Sequence, residues 1–286
     1  MAEEAAGEKP KDVGNLLPGP APVPLEVPKR PDWAALLQSS TSLTAPEVAA
    51  ETFIKAWQSA SRPVAVKCSD GHMYVIKGSN AGRQAVNDCV VAKLAALIGA
   101  PVPLSVLVTI PEELRQATPE MAHLAPGKAH GSRIMEECTE REAFANCNEG
   151  DNRRRFSSIA ILYGWLLAND RQFIYGKAKP NTVYSVDHGH FFPGGPDWNV
   201  AGLVSAPAAI ADPDTIAGCN LTADELQVAC RPLQSVTAEQ ITAAVAAVPN
   251  GWAISFDERI ALCEYLERRR AELVKACPAP ETEPGE

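Results

Sequence analysis

The chain predicts an α+β protein in two lobes, a smaller one of strands with one long helix, followed by one built mainly of helices. Three observations carry this reading. Short β-rich runs crowd residues 64–77 and recur at 101–111; one amphipathic helical pattern covers 83–98; and from Asp151 onward most of the periodicity is helical. With 286 residues, 46% of them hydrophobic, the chain can bury a sizeable core.

PVAVKC and HMYVIKG flank Ser69-Asp70-Gly71 and read as a hairpin with Asp-Gly turn chemistry. Alternation then puts Tyr74 and Ile76 on one face and Val75 and Lys77 on the other. Val86, Val90, Leu94 and Leu97 recur at helical spacing, and Gly99 with Pro101 stops that helix, which is expected to pack on the sheet. PVPLSVLVTIP supplies a further strand, and another is expected through Ser132 to Met135.

DNRRRFSSIAILYGWLLAND opens with Asp151 as an N-cap and is apolar on every face from Ile159 to Leu167, as a helix inside a helical layer would be. A hairpin, QFIYGK and TVYSV, follows, then a structured turn in FFPGGPDW. Helices are predicted near 221–231, 237–248 and 256–276, the last with Phe256, Ile260, Cys263 and Leu266 on one side.

The Pro, Gly and charge content of residues 1–30 and of 278–286 predicts flexible tails around one domain at 31–277. A net charge of −9 with a pI near 5.2 offers no basic surface for a nucleic-acid backbone, so no nucleic-acid partner is expected. No apolar run reaches membrane-spanning length, and the acidic MAEEAAGEKPKD lacks a signal-peptide pattern; no membrane partner and a cytoplasmic location are expected. The eight scattered cysteines, without a CxxC spacing, are expected to be reduced.

The chemistry concentrates on two aspartates that bracket the hairpin. Asp170 closes YGWLLAND, where a carboxylate can accept a hydroxyl proton; Asp187 opens DHGH at a strand end, where it can hold Mg²⁺ against a nucleotide. Lys77 lies on a strand just before a helix, and Asp88 is the acidic residue best placed on that helix to hold it. Backbone N–H groups from Ser59 to Ser61 offer phosphate cover, although the chain holds no GxGxxG. A second reading of DHGH is a transition-metal site on Asp187 and His190, as in a metal-dependent hydrolase, with His188 facing away.

These segments resemble the HipA-like kinases, in particular the compact branch with a lone kinase domain. The matching pieces are YVIKG with Lys77, VNDCVVAKLAALIGAPVP, HGSR at 130–133, LYGWLLANDRQ with Asp170, and VYSVDHGHFFPGGPDW with Asp187, in consistent order across roughly 50–200. The resemblance implies a two-lobed protein-kinase-like fold, with a small β-rich N-lobe near 45–137, a mainly helical C-lobe near 138–277, and ATP with Mg²⁺ between them. It implies transfer to a Ser or Thr hydroxyl of a protein, with Lys77 gripping phosphates, Asp170 orienting or deprotonating the acceptor, and Asp187 holding Mg²⁺. Met135 and Glu136 join Ser59, Ser61, Lys77 and Asp88 as implied nucleotide-binding residues. Tyr175 stands where the family has an asparagine as second metal ligand, so Gln172, Asn181 or Asn169 would have to substitute, with Gln172 taken as the ligand. That departure supports an alternative reading, a nucleotide-binding pseudokinase acting as a regulatory module.

Overall fold

The structure is a computed structural model and describes residues 30–40, 47–59, 61–141 and 144–277. The tails expected at 1–30 and 278–286 lie outside the described residues, Arg30 excepted. The first element, α1 (Trp33–Ser40), buries Trp33 and Leu37, one turn apart, against the last two helices of the chain.

Three strands follow: β1 (Glu47–Ala56), β2 (Val64–Cys68) and β3 (Met73–Lys77). The β2–β3 hairpin turns at Asp70-Gly71, where Gly71 takes a φ of +81° and the Asp70 carboxylate accepts from the His72 N–H and the Tyr74 hydroxyl. After α2 (Arg83–Ile98), Gly99 adopts the left-handed conformation at φ 66°, returning its N–H to the last turn. Then come β4 (Ser105–Ile110), α3 (Glu112–Ala117) and β5 (Gly127–Arg133). The five strands close into a barrel in the order β1-β2-β3-β5-β4, sealed by parallel pairing of Glu47–Ala49 with Leu107–Thr109.

The strand expected through Ser132–Met135 is β5, and it lies earlier. It pairs along the whole of β4, from Ile110↔Gly127 to Ser105↔Ser132, and leaves Met135 and Glu136 in the connection beyond. Its sequence, GKAHGSR, hides this because small residues face the barrel interior: a Cβ on Gly131 would sit 2.6 Å from Val108 Cγ2.

The chain continues through β6 (Cys138–Arg141), α4 (Asn152–Leu166), β7 (Gln172–Gly176) and β8 (Val183–Val186), the strands forming a separate sheet in the order β6-β7-β8. Asp151 does stand at the N-cap of α4, but its carboxylate pairs with Arg154 rather than with the backbone. From Phe156 to Leu166 every side of α4 is buried. Gly164 is needed there, because a Cβ would meet the Ile210 carbonyl oxygen at 2.0 Å.

Five helices complete the fold: α5 (Val200–Ser205), α6 (Pro213–Cys219), α7 (Ala223–Gln234), α8 (Ala238–Ala246) and α9 (Phe256–Ala276). Thr222/Glu225, Thr237/Gln240 and Ser255/Glu258 form capping boxes at the starts of α7, α8 and α9. Phe256 is exposed, so the inner face of α9 is set by Leu262, Cys263, Leu266 and Leu273 instead.

Two apolar clusters result. One fills the barrel with Val64, Val66, Tyr74, Ile76, Val106 and Val108. The other joins α2 to the helical half, and Val86, Val90 and Leu94 belong to it. Thus α2 is not an amphipathic helix lying on a sheet: it is sandwiched between barrel and helices and buried around most of its girth, while Leu97 is only half buried. Each such Val or Leu contributes about 1.5–3 kcal/mol by leaving water, so α2 is anchored chiefly to the helical half.

The cysteine expectation is corrected. Cys147 and Cys219, 72 residues apart, form a disulfide with Cα atoms 5.6 Å apart, tying the segment before α4 to the end of α6; the other six are free. Only the fold brings this pair together, so spacing carried no sign of it. Among the described residues, no helix is long and apolar enough to cross a membrane.

Candidate active site

Strand alternation puts Ile76 inside the barrel and turns Lys77 outward to α2, where it is almost fully buried. Its Nζ lies 2.9 Å from Asp88 Oδ2 and 2.5 Å from Asp187 Oδ1. The other Asp88 oxygen accepts from the His188 N–H at 2.7 Å, so one buried carboxylate holds both the strand lysine and the segment after Asp187. Burial pulls Lys77 toward neutrality, but Asp88 and then Asp187 outweigh it and its pKa rises. Burial likewise opposes the Asp88 charge, and Lys77, His130 and His188 together hold its pKa below the ordinary value.

Asp187 follows β8 with a left-handed backbone, φ 56°, a conformation uncommon outside glycine and concentrated at functional sites. Its side chain is 36% exposed, against 5% for Lys77. The β7–β8 register sets Gln172 opposite Val186, the residue before Asp187.

Asp170 comes off the end of α4, whose last carbonyls are held by α9. Arg269 donates to the Gly164, Trp165 and Pro207 carbonyls, and the Tyr265 hydroxyl to Leu166. Next to it, Arg171 forks onto Asp212, the N-cap of α6, and pairs with Asp214 at 3.0 Å. Asp170 accepts from Gln172 Nε2 at 2.9 Å and lines a cavity of about 480 Å³ with Asn169, His190, Gly194, Gly195, Pro196 and Asp197.

Ser59 and Ser61 lie in the β1–β2 loop, which the Val64↔Ile76 register brings to the Lys77 end of the barrel. Ser59 is exposed, whereas Ser61 is buried and the loop is tied down by His123 Nε2, 2.9 Å from the Arg62 carbonyl. Half-buried Met135 and exposed Glu136 sit in the connection from barrel to β6.

Tyr175 points into the helical half, fully buried, its hydroxyl accepting from the Ala145 N–H at 3.1 Å. Of the three substitutes considered for it, Asn181 donates to the Gly176 and Lys177 carbonyls and Asn169 to those of His190 and Phe192. Gln172 is exposed and donates to Asp170, and its strand partner is Val186, the residue before Asp187. Among the described residues, no three or more His, Cys, Asp or Glu gather as a metal cluster, so the pair Asp187 and His190 gains no third ligand for a transition metal. The donor set does fit Mg²⁺, which takes one or two carboxylates and otherwise water or phosphate.

Two buried polar residues, His130 and Asn87, escaped the sequence reading, and a third, His188, entered it only as facing away from Asp187. His130 pairs with Lys77 across β3–β5, and burial pushes it down to about 4. His188, pushed down to about 4 by burial as well, lies 2.7 Å from the Ser185 hydroxyl, itself 2.6 Å from that of Tyr163. Asn87 binds the segment after Asp187. Asn87 and His130 meet partners distant in sequence, whereas the His188 ring meets Ser185 three residues away; the one local signal is a polar residue beside apolar helix or strand positions.

A two-lobed fold with a strand lysine held by a helix carboxylate and facing a strand-end aspartate defines a kinase-like architecture. The family model of the HipA-like kinases matches residues 50–192, half of the chain, and the chain belongs to that family. Among solved structures it is similar to CtkA, a proinflammatory kinase of Helicobacter pylori, at 10% identity and TM-score 0.53, over 81% of this chain and 96% of that one. It is also similar to a Golgi casein kinase with Mn/ADP bound, at 12% identity and TM-score 0.45 over 88% and 77%. A further likeness is to HipA of Shewanella oneidensis MR-1 in a complex with HipB and operator DNA, at 10% and 0.40 over 89% and 74%. No curated protein matches the chain.

Proposed function

We propose that the protein is an ATP- and Mg²⁺-dependent kinase that phosphorylates a Ser or Thr hydroxyl of a protein. The observation that carries this is the buried Lys77 bridging Asp88 and Asp187 at 2.9 and 2.5 Å. One cation between two carboxylates leaves a net negative centre, suited to a divalent ion that in turn meets phosphate oxygens. When bound there, Mg²⁺ would neutralise charge that develops on the phosphoryl oxygens.

In this reading Asp88 fixes Lys77 so that its ammonium meets phosphate, and Asp187 is the metal ligand, with Gln172 as the second donor. Asp170 faces the cavity and receives the acceptor's proton; the β1–β2 loop and the Met135-Glu136 connection flank the nucleotide. A cytoplasmic site of action belongs to the same reading, and a reducing compartment of that kind would open the Cys147–Cys219 bridge.

Calorimetry with Mg·ATP, paired with a search for phosphorylated product, tests the proposal. Binding with transfer supports it, and absence of nucleotide binding refutes it. A second reading, a pseudokinase that binds nucleotide without transfer, is favoured by Tyr175 turning away from the site. Binding with no product would select it.

A further inference from the structure

Asn87 precedes Asp88 on α2, is fully buried, and directs its whole amide at the segment that follows Asp187. Its NH₂ group donates to the carbonyls of Gly189 at 2.8 Å, Phe191 at 3.1 Å and Gly195 at 3.4 Å. Its Oδ1 accepts from Trp198 Nε1 at 2.9 Å. From the opposite side Asn169, next to Asp170, donates to His190 O at 3.1 Å and Phe192 O at 2.6 Å. The Arg83 guanidinium covers the Trp198 ring at 4.1 Å and pairs with Glu258 of α9 at 2.5 Å. Residues 189–198 are therefore gripped between α2 and the Asp170 segment, and they form much of the wall of the 480 Å³ cavity.

Two features give this grip a functional sense. The stretch from Asp187 to Asn199 reads DHGHFFPGGPDWN and holds no Ser, Thr or Tyr, so no hydroxyl there can be phosphorylated to order it. Moreover, Asn87 and Asp88 are adjacent on one helix, so whatever positions α2 sets the Lys77 pair and the cavity wall together. An amide carries two N–H hydrogens beside an acceptor oxygen, where a hydroxyl has one hydrogen to donate; an aspartate would lose the donors.

We propose that Asn87 is a positioning residue that locks the cavity wall to α2, so that the cleft is assembled without modification of the segment after Asp187. This rests on the phosphoryl-transfer reading above for its meaning, but the lock itself is testable without nucleotide. Asn87→Ala removes both halves of the grip, and Trp198→Phe removes one donor while keeping an aromatic ring.

Amide hydrogen exchange on the full chain should quicken at 189–198 by about tenfold or more in both variants, the scale of one lost buried hydrogen bond, with the barrel and α9 unchanged. Mg·ADP affinity should stay within about threefold, and self-labelling with radiolabelled ATP should show kcat lowered about tenfold at an unchanged KM for ATP. Unchanged exchange at 189–198, acceleration spread equally over α4 and α9, or wild-type kcat in Asn87→Ala would each overturn the proposal. Failure of the wild-type chain to bind Mg·ADP would instead overturn the phosphoryl-transfer reading.

Discussion

Lys77 and Asp88 meet at 2.9 Å in the interior, each side chain about 5% exposed, and each depends on the other to stay charged there. Lys77→Met leaves Asp88 buried with its main counter-charge gone, which costs about 3–5 kcal/mol. The double variant Lys77→Met, Asp88→Asn removes both charges and keeps the oxygen that accepts from His188. Urea denaturation should therefore find the double variant more stable than Lys77→Met alone. Equal stabilities would contradict a buried, mutually dependent pair.

His130 gives a pH dependence with a definite sign. Its imidazole faces Lys77, Asp88, His188 and Lys93, and burial pushes it down to about 4 from an ordinary value near 6.5. Between those values the unfolded chain binds a proton that the folded one does not, so stability falls as pH drops from about 6.5 toward about 4, by up to about 1.4 kcal/mol per pH unit. His188 carries the same shift, so His130→Gln should lower that slope by about half in denaturation series at successive pH values. An unaltered slope would show that His130 is not the group responsible.

Tyr175→Asn would introduce the residue type that the family resemblance implies at this place. Because the ring is fully buried and its hydroxyl bonds Ala145, the change should not create a metal ligand; it should open a cavity and cost about 3–5 kcal/mol. A fall in Tm without any gain in phosphoryl transfer is the expected result. Increased transfer would mean that position 175 reaches the site.

The Cys147–Cys219 bridge predicts a thiol count. Denatured without reductant, the chain should titrate six thiols, and eight after reduction. Reduction should lower stability by about 2–4 kcal/mol if the bridge restrains the unfolded chain as such loops usually do. Eight thiols before reduction would remove the bridge from the account.

What could be read in the sequence follows from how local each signal is. The β2–β3 hairpin, α2 with its Gly99 stop, α4 and the last three helices announce themselves through turn residues and periodicity. By contrast β1 has a single buried residue, with no regular alternation, and β5 is built of small residues because Gly131 lies against Val108. The capping boxes Thr222-x-x-Glu225, Thr237-x-x-Gln240 and Ser255-x-x-Glu258 were legible and would have fixed the helix starts. Asp88 was visible as the acidic residue on the helix after Lys77. Asn87 and His130 were not, since a buried polar group is defined by partners that sequence order does not reveal.

The central claim is that Lys77, Asp88 and Asp187 form one phosphoryl-transfer centre, and Asp187→Ala tests it most directly. Asp187 is partly exposed and caps no helix, so its loss should leave the fold intact. Radiolabelled ATP with Mg²⁺ should label the wild-type chain or an acceptor protein, and the variant at least about 100-fold more slowly, the scale of losing one electrostatic stabiliser. Labelling by the variant at the wild-type rate would contradict the account.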